Sequence, residues 1–346
     1  MGVDLGDLAV KTEVTLESLS GKVVAIDAFN MLYQFLASIR QEDGTPLMDF
    51  SGNITAHLSG LYYRSSRLVQ NGIRPIYVFD GKPPVFKKSE QDRRSKVKKE
   101  AMEKWQKALE MEKPAEAKKY AQATSRLTSE MVEESKKLLQ GMGIPWVQAP
   151  SEGEAQASVM VQKGFAYAAA SQDYDALLFG SPVLLRNLSI TGRRKVPRQD
   201  RYIIVHPEEI RLRETLDSLS LSREKLIYIG ILLGTDFNEG VKGVGPKTAI
   251  KIMKEVNTLE QMKNYVKEKY NYEFEIDPQV IVDFFMKPPY AEIKEKFSWG
   301  NVDSDALKEL LVEKHDFSEE RVEKTALDML ASFKEKGAQQ RLEQFF

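Results

Sequence analysis

Four aspartates stand where apolar runs end. KVVAID closes on Asp27, IYVFD on Asp80, and FAYAAASQDYD on Asp173 and Asp175. Runs that are apolar on consecutive residues predict strands buried on both faces, hence a parallel sheet. Ligands of such sheets bind beyond the carboxyl ends of the strands. Acids gathered at one sheet edge repel one another unless cations neutralise them. Hard divalent cations take carboxylate oxygens, so the pattern points to Mg²⁺ or Mn²⁺ rather than to an acid–base pair. Taken singly, each aspartate could equally be a turn or helix-cap residue. PSEGEAQA adds Glu152 and Glu154. Ser151 with Glu154 three residues later reads as a capping box, in the first turn of a helix whose dipole favours anions. Cap and ligand remain equally open for that pair.

Composition narrows the chemistry. The 346 residues contain no Cys and three His, His57, His206 and His315, which lie far apart in the chain. That excludes a disulfide framework, a cysteine nucleophile and Cys-ligated metal, and it argues against histidine-rich metal sites. Basic residues number 50 and acidic ones 51, for a net charge of −1, so any polyanion-binding surface must be local. Apolar residues at 42% describe a globular chain long enough for one elaborated domain or two. The apolar stretches are too short to span a bilayer, and MGVDLGDLAV has no signal-type core. A soluble, intracellular protein with no membrane partner is expected.

The elements that must carry these acids alternate. Helical spacing over 53–72 and 128–143 separates the apolar runs, and LLRNL (184–188) and YIIVH (202–206) read as further strands. Strand–helix–strand alternation predicts an α/β fold, with a mixed, largely parallel central sheet flanked by helices. A second, helical section begins near Ser222. Residues 82–119 break the pattern. From Lys82 to Lys99 there are eight basic and two acidic residues and little apolar face. The segment reads either as a solvated helix or as a basic element over a site for polyanions.

GILLGTDFNEGVKGVGPKTAIKIM, residues 230–253, places Gly240, Gly243 and Gly245 between an apolar helix and a helix opened by Pro246. Outward backbone N–H groups in such a hairpin suit phosphates or a monovalent cation. The spacing is one residue off a nucleotide-binding P-loop, and Pro246 removes an N–H from the cradle. The chain ends KEKGAQQRLEQFF, with Gly337 punctuating the preceding helix. Leu342, Phe345 and Phe346 fall on one face of a helical turn. They either fold back on the body or fill an apolar pocket of a partner.

Assembled, MGVDLGDL, VVAIDAFNMLYQFL, YVFDGKPP, PSEGEAQA, SQDYDALLFG, LLGTDFNEGVKGVGPK and QQRLEQFF resemble the flap endonucleases of the structure-specific 5′-nuclease superfamily, in their archaeal form. The resemblance implies nuclease halves at 1–98 and 126–258 and a helical arch at 82–125 that a 5′ flap threads under. It also implies a helix-hairpin-helix-type element near 223–255, a helical region at 259–336 and a sliding-clamp-binding tail at 337–346. It assigns Asp27, Asp80, Glu152 and Glu154 to one metal, and Asp173, Asp175 and Asp236 to a second. Lys87 and Arg94, seven apart and so on one helix face, become the basic catalytic pair, and Tyr33 stacks on the base beside the cut. Gly2, Arg40, Arg64, Gly234, Gly240, Gly243, Gly245 and Lys247 match DNA-contacting positions. Gly240, Val241 and Val244 would offer carbonyls to K⁺ or a similar ion. Gln339, Leu342, Phe345 and Phe346 match the clamp-docking motif. The implied activity is cleavage of 5′ flaps, with 5′→3′ exonuclease action, by a protein monomeric on its own. The alternatives are an excision-repair or junction-resolving nuclease of the same superfamily, and, in another class, a non-catalytic DNA-binding clamp adaptor.

Overall fold

The computed structural model describes residues 2–41, 44–87, 99–105, 107, 126–188, 192–195 and 202–343. Its centre is a sheet of seven strands. β1 (Lys11–Glu13) lies at one edge. β2 (Val23–Asp27), β3 (Arg74–Phe79), β4 (Trp146–Gln148), β5 (Ala168–Ala170) and β6 (Val183–Arg186) are parallel, and β9 (Glu208–Arg211) is antiparallel to β6 and β1. The order is β1-β9-β6-β5-β2-β3-β4. The chain leaves β2 toward β3 on one side and returns through β5 on the other. The switch point therefore falls between β2 and β5, where Val24 pairs with Ala168 and Ile26 with Ala170. In open α/β sheets that crevice is the ligand site.

Both faces of the sheet are covered, as continuous apolar strands demand. Val24, Ile26, Tyr77 and Phe79 pack beneath helices Ala28–Ser38, Ala56–Gln70 and Ser129–Gly141. Ala25, Ile76 and Val78 point the other way, to helices Gly153–Gln162 and Arg223–Leu233. Two of the predicted helices thus appear within a few residues of their expected ends. Thr128 caps the third helix by accepting from the Met131 N–H at 3.2 Å, and Ser222 caps Arg223–Leu233 in the same way.

One strand reading holds in a separate sheet, and two readings need correction. YIIVH forms β8 (Tyr202–Val205), which pairs only with β7 (Gly192–Lys195) in a separate two-stranded sheet. The strand that does enter the central sheet there is the polar EEIR of β9, whose apolar content gives no signal. Helix Leu212–Leu219 precedes the expected start of the helical section at Ser222. Gly337 does not end a helix, because Glu319–Glu343 runs through it; a single Gly within a helix costs only about 1 kcal/mol. No described helix is long and apolar enough to cross a membrane.

The last helix closes on the helices beside the sheet. Tyr62 Oη donates to the Val322 carbonyl at 2.7 Å. Below it, two histidines remote in sequence meet one carboxylate. His315 Nε2 lies 3.1 Å from Glu134 Oε1, and His57 Nε2 lies 3.4 Å from Glu134 Oε2. Asp49 holds the other ring nitrogen of His315 at 2.9 Å. Burial alone would raise the Glu134 carboxyl, but its close contacts with His57, Lys314 and His315 pull it down to about 2.

Candidate metal centre

All seven acids project into one crevice beyond the strand ends. β2 ends on Asp27 itself, β3 is followed by Asp80, and β5 by Asp173 and Asp175. Helix Gly153–Gln162 begins at the crevice and brings Glu152 and Glu154. The loop after helix Arg223–Leu233 brings Asp236. Their mutual repulsion measures the convergence. Asp27 feels Asp80, Asp173 and Glu152. Asp80 feels Glu152 and Asp236. Glu154 feels Asp175, Asp27 and Asp173. Asp175 feels Asp236 and Asp173. These couplings form one connected set. Glu154 faces Asp173 and Asp175 as well as Asp27, so the two groups that the resemblance implies share one crevice.

Burial and these neighbours raise the carboxyls together. Asp80 is pushed up to about 7 and Asp175 to about 8, first by desolvation and then by the adjacent acids. Asp27 and Glu154 are also held well above the usual carboxylate range. The sign for stability follows. A carboxyl raised in the folded state favours folding while protonated, and that contribution is lost as pH rises through the folded value. The window runs from about pH 4 to about pH 8. Metal-free protein is therefore expected to lose about 5 °C or more in melting temperature between pH 5 and pH 8.5. Mg²⁺ or Mn²⁺ should restore it at the upper end. Differential scanning calorimetry at constant ionic strength reads both effects, and a melting temperature that rises through this window would contradict the shared pocket.

Local contacts hold four of these acids in place. The Gly153 N–H donates to Asp80 Oδ1 at 2.7 Å. The capping box is thereby corrected. The helix starts one residue later than Ser151 requires, Glu152 occupies the N-cap with no side-chain cap bond, and an anion from another strand serves the exposed N–H groups. The Val3 N–H donates to Asp175 Oδ1 at 2.7 Å. Asn30 contacts both Asp27 and Asp173. Neither Val3 nor Asn30 was selected from sequence; only the topology brings them here. Gly2 lies inside the centre rather than on an outer surface. A Cβ there would stand 2.6 Å from Asp175 Oδ1, so only glycine fits the approach.

Lys87 is the cation among these acids. Its Nζ lies 2.6 Å from Glu152 Oε2 and 3.5 Å from Asp236 Oδ2. Burial alone would lower the ammonium, but Glu152, Asp236 and Asp80 more than offset it, so Lys87 is held charged. It sits in the short 3₁₀ helix Val85–Lys87, the last described residues at the start of the basic segment. The start of the basic segment is also anchored. The Phe86 ring packs edge-on against Phe237 and Phe284 at 5.4 and 5.3 Å. Adjacent residues in two segments, Phe86–Lys87 and Asp236–Phe237, thus lock an aromatic contact beside a charge contact. Arg94 and most of the expected arch lie outside the described residues, as do Phe345 and Phe346. Gln339 and Leu342 fall within helix Glu319–Glu343.

Among the described residues no three acids stand in a ready-made chelating group; their charge is met by Lys87 and by backbone and amide N–H donors. The donor set nonetheless fits a hard divalent ion. It is all carboxylate oxygen, and Glu154 Oε1 is buried without a hydrogen-bond partner. Any of the seven carboxylates could turn an oxygen to such an ion.

The other predicted contacts lie outside this set of acids. Tyr33 is 37% exposed, at the first helix after β2. Arg64 and Lys247 are exposed. Arg40 is half-buried and donates to the Ala37 and Gly44 carbonyls at 3.2 and 2.9 Å, which gives it a role in its own loop. The hairpin joins helices Arg223–Leu233 and Pro246–Glu255. The Val241 N–H bonds the Leu232 carbonyl, and the Val244 N–H bonds the Val241 carbonyl. Gly234 and Gly243 have φ of 96° and 88°. A Cβ on Gly240 would stand 2.3 Å from the Leu233 carbonyl oxygen, whereas Gly245 has open space. Gly240→Ala is therefore expected to cost about 1–3 kcal/mol of stability in urea unfolding, and Gly245→Ala much less. Equal costs would contradict the close approach.

Two family models match the chain. The XPG N-terminal domain matches residues 4–101 and the XPG I-region residues 143–236. Flap endonuclease 1 of Staphylothermus marinus is 49% identical over 353 residues, covering all of both chains. That of Thermococcus onnurineus is 51% identical, covering all of this chain and 99% of the relative. Among solved structures, flap endonuclease-1 from Methanococcus jannaschii superposes with a TM-score of 0.75 at 40% identity, over 97% of this chain and all of the other. The catalytic core of Rad2 in complex with a DNA substrate gives 0.70 at 25% identity, over 95% of this chain and all of that one.

Proposed function

The chain belongs to the flap endonuclease 1 family, and from that premise we propose that it cuts 5′ flaps from branched DNA at the junction of single strand and duplex. The role is flap removal in replication and repair, with 5′→3′ exonuclease action. The observation that carries this reading is the single crevice of seven mutually repelling acids around Lys87. When bound, two Mg²⁺ ions, or Mn²⁺ in their place, would supply the acidified water and the positive charge that in-line attack on phosphorus needs. Asp27, Asp80, Glu152 and Glu154 would hold one, and Asp173, Asp175 and Asp236 the other.

The chain's own groups do the rest. Lys87 is held protonated in a buried place, so it can donate to a phosphate oxygen as charge develops there. Arg94 joins it from the arch, and Tyr33 offers a ring to the base beside the cut. Gly240, Val241 and Val244 present backbone carbonyls to a K⁺-type ion, while Lys247 and the hairpin N–H groups meet the duplex backbone. Such contacts read backbone shape rather than base identity, so specificity comes from the bend at the junction and from the threaded 5′ end. Residues 337–346 dock on a sliding clamp through Gln339, Leu342, Phe345 and Phe346. The protein alone acts as a monomer inside the cell.

A sized product ladder from a double-flap substrate, with Mg²⁺ and with chelator, tests the reading. Cutting at the junction that disappears with chelator supports it. DNA binding without Mg²⁺-dependent cutting would favour the clamp adaptor, and faster cutting of a four-way junction would favour a resolving nuclease. A bulky adduct placed on the 5′ end before mixing is expected to slow cutting by about 10-fold or more, since an effect on threading acts before the chemical step. Unchanged single-turnover rates would remove the threaded arch.

A further inference from the structure

We infer that the Asn30 side chain is a positioning group that orients the Asp173 carboxylate beside Asp27, and so sets the affinity of the centre for its second divalent ion. This rests on the divalent-ion reading of the crevice. Asn30 lies in the first turn of the helix that follows β2 and makes three contacts there. Its backbone N–H donates to Asp27 Oδ1 at 3.0 Å. Its side-chain amide donates to Asp173 Oδ2 at 3.0 Å. Its side-chain carbonyl accepts from the Gln172 N–H at 3.1 Å.

The direction of the amide is determined by its partners. A backbone N–H can only donate, so the atom facing Gln172 must be Oδ1, and the NH₂ group must then face Asp173. A carboxylate can only accept while ionised, which agrees with that assignment. The bond to Asp173 runs from the amide NH₂ to a carboxyl oxygen. It opposes no charge and leaves the net charge of the crevice unchanged.

Topology makes the link consequential. β2 and β5 are neighbours at the switch point, and their connections depart in opposite directions. Asp27 ends β2, whereas Asp173 lies in the loop beyond β5, where only local turns restrain it. Its backbone N–H reaches Ser171 Oγ at 3.2 Å. Asn30 ties that loop to β2 twice, once through the Gln172 backbone and once through the Asp173 carboxylate. Oδ2 of Asp173 is thereby occupied by the side chain, which determines which oxygen Asp173 turns to the pocket, while the backbone N–H that holds Asp27 is common to any residue here but proline. Acids this crowded would otherwise rotate apart to lower their repulsion. Groups that hydrogen-bond to ligating side chains typically change metal affinity or activity by about 10–100-fold when removed.

The test uses the full chain with Asn30→Ala and Asn30→Ser. Free Mn²⁺ is titrated by electron paramagnetic resonance without DNA. Cleavage of a flap substrate is then followed as a function of Mg²⁺, beside melting temperature. The expected result is a loss of about 10-fold or more in the weaker Mn²⁺ affinity. The half-saturating Mg²⁺ concentration should rise to match, with much of the rate recovered at high Mg²⁺. Flap binding in Ca²⁺ should stay unchanged. Wild-type Mn²⁺ affinity in variants of lowered melting temperature would overturn the inference, because Asn30 would then serve the fold alone. So would a rate loss that no Mg²⁺ concentration repairs. If the wild-type protein itself binds no Mn²⁺, the divalent-ion reading fails first, which is a distinguishable outcome.

Discussion

Asp175→Asn is expected to lower the single-turnover rate of flap cutting by at least about 10³-fold, equivalent to about 4 kcal/mol of transition-state stabilisation. Asn preserves the shape of Asp175 and its acceptor for the Val3 N–H. It removes the charge that Asp236 and Asp173 oppose. The variant should therefore fold as well as the parent, and its metal-free form should melt no lower at pH 8. DNA binding should change by about 2-fold at most, because backbone contacts elsewhere supply most of that affinity. A stable variant that binds flap DNA and does not cut separates ligand loss from misfolding. A variant cutting at the parental rate in Mg²⁺ would remove Asp175 from the centre.

Lys87→Met is expected to reduce the rate at saturating Mg²⁺ by about 10²-fold, the typical consequence of removing one donor to developing charge. Its effect on ion affinity should run the other way. Lys87 holds Glu152 at 2.6 Å and Asp236 at 3.5 Å, so it competes with a divalent ion for both. The variant should saturate at equal or lower Mg²⁺ while remaining slow, and its metal-free form should be less stable at pH 8 because the acids lose their internal cation. A rate fully restored by extra Mg²⁺ would mean that Lys87 only neutralises the acids and takes no part in the chemistry. Methionine keeps the unbranched stem, so the neighbouring Phe86 contacts with Phe237 and Phe284 need not move.

The strand-end acids were legible because burial on both faces leaves a strand nowhere to put a charge except past its end. Asp27 and Asp80 obey that logic directly. Asp173 and Asp175 lie farther on, in the loop and short helix Asp175–Leu178 beyond β5, and the run of alanines still pointed there. Asp236 is different. It follows a helix, not a strand, and only the family resemblance selected it. The misread cap at Ser151 shows how a local motif loses to a tertiary one: Asp80, from another strand, already serves the Gly153 N–H. Val3, the Asn30 side chain and Phe86 carry no spacing signal, since each acts on a residue that folding alone brings near. The same holds for His57 and His315, 258 positions apart, which the last helices bring to opposite oxygens of Glu134. Polar β9 shows the limit for the sheet: a short edge-side strand held by ladder bonds needs no apolar run.

The most direct test is an anomalous difference map from crystals of the metal-free protein soaked in Mn²⁺ near pH 8. Peaks enclosed by the carboxylates of Asp27, Asp80, Glu152, Glu154, Asp173, Asp175 and Asp236 are expected, with Lys87 Nζ moved off Glu152. Manganese bound only outside this crevice, with Lys87 still paired to Glu152, would contradict the account.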